Sequence, residues 1–176
     1  MFKLNEAQIG DILQHKVMPN DFWGKVIDWF TLGGGYSHTA IYVGDNVKAE
    51  AREKGLFGVK VISIEEVEQI NIYRVKGGLN ELQKRKILQT TMDMYGAKYD
   101  YLGLIPAVLS AVGYLLKWDW LRQRRPILND ENKYFCSEIA SKIYIDAIGI
   151  DIVPEVICYI TTPNDISRSN VLERIS

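Results

Sequence analysis

Three residues have the types that thiol-dependent acyl transfer needs: a nucleophile, a base and a group to orient the base. Cys136 lies in Tyr134-Phe135-Cys136-Ser137-Glu138, where a helical pattern begins. His38 lies in Tyr36-Ser37-His38-Thr39-Ala40-Ile41-Tyr42-Val43-Gly44, which reads as a β-strand. Glu50 follows in Val47-Lys48-Ala49-Glu50-Ala51, a second strand that folds back on the first. A helix N-terminus favours a thiolate through its free N–H groups and its dipole, and the same N–H groups can hold the oxyanion of a tetrahedral intermediate. His38 would accept the thiol proton and later protonate the leaving group, and Glu50 would fix the imidazole tautomer and steady the imidazolium. The first product would be a thioester on Cys136.

Whether His38 and Glu50 can meet depends on hairpin register. Directly opposed residues have Cβ atoms roughly 4.5–5.5 Å apart. His38 opposite Glu50 centres the hairpin on Gly44 and requires an odd-numbered loop, such as Val43-Gly44-Asp45 or a longer one. A two-residue Gly44-Asp45 loop would turn Glu50 to the other face. Cys158 and His15 have no comparable context and read as structural. A zinc site from Cys136, His38 and Glu50 has no paired ligand spacing behind it, so no metal and no cofactor is expected. The glycines Gly33 to Gly35 lack the Lys-Ser/Thr of a phosphate loop and read as a hinge or lid edge.

The elements that must position these residues are legible as patterns. Asp11 to Gln14 reads as a strand and Asn20 to Phe30 as a helix, with Phe22, Val26 and Phe30 on one stripe and Asn20 or Asp21 as cap. Ser37–Val43, Val47–Ala51, Val59–Ile64 and Ile70–Val75 read as strands. Asn80 and Gln83 form a capping box for a helix to about Tyr95, with Leu88, Thr91, Met92 and Tyr95 on one face and Gly96 as stop. Phe135 to Ile148 reads as a helix with an apolar stripe of Ile139, Ala140, Ile143, Tyr144, Ala147 and Ile148. Thr162-Pro163 reads as a helix start, and Val171 to Ile175 as a last strand. Strands cluster early and helices late, which argues α+β.

The 176 residues suit a single domain, with 47% apolar and 24% charged residues. A net charge of −1 gives no basic footprint for nucleic acid. Two cysteines make no disulfide framework, so a reducing compartment is expected. No signal peptide is evident, which points to the cytoplasm. Leu102 to Leu116 is the longest apolar run and falls short of the ~20 residues of a spanning helix. Lys117 to Arg125 mixes tryptophan with arginine, so 102–125 reads as a buried helix with a basic end or as a peripheral membrane contact.

Gly10-Asp11-Ile12-Leu13, Ser37-His38-Thr39-Ala40-Ile41-Tyr42-Val43-Gly44, Glu50-Ala51, Tyr99-Asp100-Tyr101, Phe135-Cys136-Ser137-Glu138 and Thr162-Pro163-Asn164-Asp165-Ile166 occur in that order. Together they resemble the YiiX/YebB-like branch of the permuted papain-like (NlpC-type) cysteine hydrolases, over about Gly10 to Ser169. Lecithin:retinol acyltransferase-like proteins are similar in the histidine strand. The resemblance implies a circularly permuted papain-like fold, with an antiparallel sheet packed against the cysteine-bearing helix. It implies Cys136 as nucleophile, His38 as base and Glu50 as third residue, where many acyltransferase cousins carry a second histidine. It implies hydrolysis or transfer at amide, ester or thioester bonds of lipid-like substrates or acylated amines and peptides, with Leu102–Leu116 lining an acyl groove. A cell-wall peptidase and a non-catalytic binding module on the same scaffold are the alternatives. The missing signal peptide counts against the first and the intact Cys/His/Glu set against the second.

Overall fold

A computed structural model describes residues 3–30, 33–51, 56–99, 133–134, 136–156 and 161–176. After a 3-10 turn at Lys3–Glu6, the elements are β1 (Ile12–Lys16), α1 (Phe22–Phe30), β2 (Tyr36–Gly44), β3 (Val47–Ala51), β4 (Phe57–Val61), α2 (Ile64–Gln69) and β5 (Ile70–Val75). There follow α3 (Glu81–Asp93), β6 (Lys98–Tyr99), β7 (Lys133–Tyr134), α4 (Cys136–Ile148), α5 (Pro163–Arg168) and β8 (Leu172–Arg174). Six strands form one antiparallel sheet in the order β4-β3-β2-β1-β5-β8, while β6 and β7 make a short parallel pair. The architecture is α+β, as the clustering of patterns requires.

Period-two alternation sorts the sheet residues onto two faces. Ile12, Ile41, Ala49 and Tyr73 join a core with Ile139, Ala140, Ile143 and Tyr144 of α4 and Ile87 of α3. Leu13, Ala40, Tyr42, Ile70 and Ile72 join a smaller cluster with Leu4 and Ile62. Burial of each large aliphatic side chain contributes roughly 1.5–3 kcal/mol. Tyr144, fully buried in α4, donates its hydroxyl hydrogen to the Gly10 carbonyl and so ties the cysteine-bearing helix to the entry of β1. The next residue, Asp11, receives Arg74 through two hydrogen bonds of 2.8 and 2.7 Å, which fixes β1 beside β5.

The β2–β3 connection resolves the register question in an unexpected way. The turn is a two-residue one, Asp45-Asn46, with φ of 49° and 58° between the paired Gly44 and Val47. Two left-handed central residues match the twist of the flanking strands. Continued regularly, this register would set Glu50 on the face opposite to His38. A bulge at Val43 restores the parity, so that Tyr42 opposes Lys48 and Ile41 opposes Ala49. Continuing from there, Glu50 stands across from Ala40, diagonal to His38 and on its face. The odd-numbered loop centred on Gly44 is therefore corrected to an even turn plus a bulge, with Gly44 at φ 107°, a conformation open only to glycine.

Other expectations shift in detail. Asp21 is the residue that caps α1, accepting from the Gly24 N–H at 2.8 Å, but Phe22 is exposed rather than part of a buried stripe. Val59–Ile64 is not one strand. β4 ends at Val61, and Ser63 and Glu66 form a capping box that starts α2. In α3, capped by Asn80 and Gln83 as expected, Ile87 and Thr91 are buried while Met92 and Tyr95 face outward. Thr162 caps α5 with Pro163 at its first turn. The expectations for 102–125, and for Cys158, fall outside the described residues.

Candidate active site

Cys136 is the first residue of α4, only 6% exposed. The β2–β3 ladder ends at Ile41 and Ala49, and the Tyr42 N–H points the other way, to Asp11 of the β1 edge. By the alternation of strand N–H groups, the Thr39 N–H is directed toward β3 but lies past its last paired residue. The backbone N–H groups of Thr39 and Ser137 favour the charged form of the Cys136 sulfur. Burial works to raise the thiol pKa, but the His38 charge, its hydrogen bond and the two backbone donors outweigh it, and the net direction is down.

His38 bonds both partners. Its Nε2 is 3.1 Å from Glu50 Oε2, which leaves Nδ1 for the Cys136 sulfur. Burial disfavours the imidazolium, yet the Cys136 thiolate and the Glu50 carboxylate together raise the pKa to about 9. Burial likewise opposes the Glu50 carboxylate, and the hydrogen bonds and charges of His38 and Lys48 lower its pKa to about 2. The three residues expected from the sequence are therefore brought together. His38 and Glu50 are held in their charged forms, and the Cys136 thiol is shifted toward the thiolate.

Three further residues stand behind these three. Lys48, buried and on the same face as Glu50, places Nζ 2.7 Å from Glu50 Oε2, 3.1 Å from His15 Nε2 and 3.5 Å from Glu66 Oε1. Glu66 also pairs with Lys60 at 2.7 Å. His15 opposes His38 across β1 and β2, with ring centroids 5.4 Å apart. Burial first, then the charges of His38 and Lys48, drive the His15 pKa down to about 3 despite Glu50 and Glu66. His15 is thus neutral, with Nε2 accepting from Lys48 and the proton on Nδ1. His15, read from the sequence as structural, is thus packed beside the site through Lys48 and His38. Lys48 was visible as the same-face neighbour two residues before Glu50, whereas the nearness of His15 depends on β1–β2 register.

The glycine triplet is held in place. The Gly35 N–H donates to Asp28 Oδ1 at 2.7 Å, and Arg168 donates to the Gly33 carbonyl. Gly34 lies so close to Asn164 that a Cβ would overlap its side-chain amide. Asn164 in turn accepts from the Tyr36 N–H at 3.2 Å and donates to Asp28 at 3.1 Å. The triplet is a close-approach loop that anchors the start of the histidine strand.

A six-stranded antiparallel sheet with a cysteine at the head of a packed helix defines the class of this protein by fold. The crystal structure of YiiX from Escherichia coli O157:H7, described as a metalloprotein, is similar to this chain in fold, with a TM-score of 0.61 and 18% identity over 97% of each chain. At that identity the likeness concerns the fold alone. No protein-family model matches the chain, and no curated protein matches it.

The metal named for YiiX can be tested against the side chains of this site. Among the described residues, no group of three or more His, Cys, Asp or Glu converges in a way that could hold a metal ion. The nearest approach is His15, Glu50 and Glu66, and the Lys48 ammonium stands between them. A positive charge at that point repels a second cation, so these residues do not fit a metal. Among the described residues, no helix is long and apolar enough to cross a membrane.

Proposed function

We propose that this protein is a cysteine-dependent hydrolase or acyltransferase, a single permuted papain-like domain over 1–176. In this reading Cys136 is the nucleophile, His38 the general acid–base and Glu50 the residue that orients His38. The observation that supports it is the 3.1 Å bond between His38 and Glu50, together with the mutual pKa shifts of His38 and Cys136.

The thiolate of Cys136 attacks the carbonyl carbon of an amide, ester or thioester. Charge moves to the carbonyl oxygen, where N–H groups at the head of α4 stabilise it. As the intermediate collapses, His38 passes its Nδ1 proton to the leaving amine, alcohol or thiol, and a thioester to Cys136 remains. Neutral His38 then takes a proton from water or another acceptor, which attacks the thioester and releases the acyl group. Cys136 departs as the thiolate, beside a His38 that is again charged. Glu50 stays ionised throughout, because Lys48 and His38 hold its pKa near 2.

The substrate class in this reading is lipid-like or an acylated amine or peptide. The residue types of 102–125, an apolar run followed by tryptophans and arginines, support a peripheral membrane contact. The test is to incubate the protein with a panel of acyl esters and thioesters of different chain length and map adducts by mass spectrometry. The proposal expects an acyl mass on Cys136, absent in Cys136→Ser and slower to form in His38→Asn. Turnover that survives Cys136→Ser would refute it.

A further inference from the structure

Helix α1 reads Phe22-Trp23-Gly24-Lys25-Val26-Ile27-Asp28-Trp29-Phe30, with large apolar side chains at most of its positions. A helix this apolar has more such side chains than one core-facing stripe can hold. Phe22 and Trp29, two turns apart, are 69% and 73% exposed. Lys25 lies between them on the same stripe and is exposed, and Met18, one turn before Phe22, is exposed as well.

The charges around α1 are sorted by direction. Asp21 accepts from the Gly24 N–H at 2.8 Å, and Asp28 accepts from the Gly35 N–H at 2.7 Å and the Asn164 amide at 3.1 Å. Both carboxylates are thereby drawn into contacts with the protein's own amides. The Lys25 ammonium donates to the Pro19 carbonyl, a partner without charge. The stripe of Met18, Phe22, Lys25 and Trp29 thus carries one positive charge and no negative one. Aromatic rings around a lysine suit the boundary of an anionic bilayer, where the rings enter the headgroup region and the ammonium meets phosphate. A protein partner is the poorer match, because lysine is depleted from the centres of protein interfaces. The helix also borders the candidate site. A Cβ on Gly24 would stand 2.9 Å from the Ser37 Cβ, and Ser37 precedes His38, whose side chain is 28% exposed.

We infer that the outward stripe of α1 is a membrane-binding face, which seats Met18, Phe22, Lys25 and Trp29 in the headgroup region of an anionic bilayer. Seated there, α1 holds the start of β2 at the lipid surface, where acyl substrates reside. This use of the face rests on the function proposed above.

The test is flotation of the full chain with phosphatidylcholine vesicles, with and without phosphatidylserine. The protein should float, and more strongly with phosphatidylserine. Phe22→Ser with Trp29→Ser should weaken binding by roughly tenfold or more, the scale of one large apolar side chain left in water. Lys25→Glu should weaken it about fivefold or more on the anionic vesicles alone. Both rings are exposed, so circular dichroism should show a native fold; if the double variant does not fold, the two single substitutions replace it. A native protein that does not float, or folded variants that float as well as the native chain, overturn the inference. Self-association lost in the double variant, without vesicle binding, overturns it equally and makes the face a protein contact. Flotation needs no nucleophilic thiol. A protein that floats but forms no acyl adduct on Cys136 keeps this face and loses the enzyme reading, and the reverse result loses only the face.

Discussion

Replacing Glu50 by Gln removes one negative charge at the point where His38 and Lys48 converge on the same oxygen, at 3.1 and 2.7 Å. The side chains of His38 and Glu50 are 28% and 10% exposed, so their interaction is only partly screened by water. A hydrogen bond to a charged partner is worth ~1.5–3 kcal/mol against ~1 for a neutral one. The difference corresponds to roughly one pH unit or slightly more. Loss of a nearby anion disfavours the imidazolium, so the His38 pKa falls from about 9 toward the ordinary histidine range. Alkylation of Cys136 by iodoacetamide, followed against pH and localised by mass spectrometry, reads this directly. The thiolate is more nucleophilic once His38 loses its proton, so the native profile has an upper step near 9, and Glu50→Gln should move that step down by about one unit. Lys48 keeps Glu66 at 3.5 Å as a weaker partner, so the variant should lose on the order of 2–3 kcal/mol of stability. An unchanged upper step in a folded Glu50→Gln protein refutes the role given to Glu50.

Further expectations follow from the same geometry. The chain has two histidines, so their imidazole proton resonances are easily assigned, and neither should titrate between pH 5 and 7.5, because His15 lies near 3 and His38 near 9. In Cys136→Ser the leading cause of the raised His38 pKa is gone, and that resonance alone should begin to titrate lower. Acid should destabilise the fold in two stages in urea titrations. The unfolded chain takes up a proton at His15 below about 6.5, which the native state refuses until about 3. Glu50 adds stability that is fully present above its unfolded value of 4.5 and lost as pH falls toward 2, on the order of 3 kcal/mol in all. Gly44→Ala forces a side chain into φ 107° beside the bulge and should cost about 1–2 kcal/mol in the urea midpoint, with a lower Cys136 alkylation rate as β3 loses its register.

The local signals of this fold were plain in the sequence. Asn80 with Gln83, and Thr162 with Pro163, start helices because caps act within one turn of chain. The cysteine at a helix start and the histidine and glutamate on one hairpin were legible for the same reason. The way in which the hairpin brings them onto one face was not. Asp45 and Asn46 both adopt the left-handed region and demand an even turn, and only the Val43 bulge, set by packing along β2, reverses the consequence. The Ser63–Glu66 box was legible but lay inside an apolar stretch that suggested a strand. The outward turn of Met92 and Tyr95 follows from where α3 meets α4, which periodicity alone does not specify. His15 and Lys48 were passed over because each gains its meaning from a partner on another element: His15 from His38 across β1 and β2, Lys48 from Glu66 of α2.

The central claim is that His38 and the N–H groups of Thr39 and Ser137 lower the pKa of the Cys136 thiol. The pH dependence of its alkylation rate in the native protein tests this most directly, since the shape of the curve does not depend on how accessible the sulfur is. The account predicts alkylation that persists well below the ordinary thiol range, with a further rise near 9 as His38 deprotonates. A rate that falls tenfold for each pH unit below ~8.5, as an unperturbed thiol requires, would contradict it.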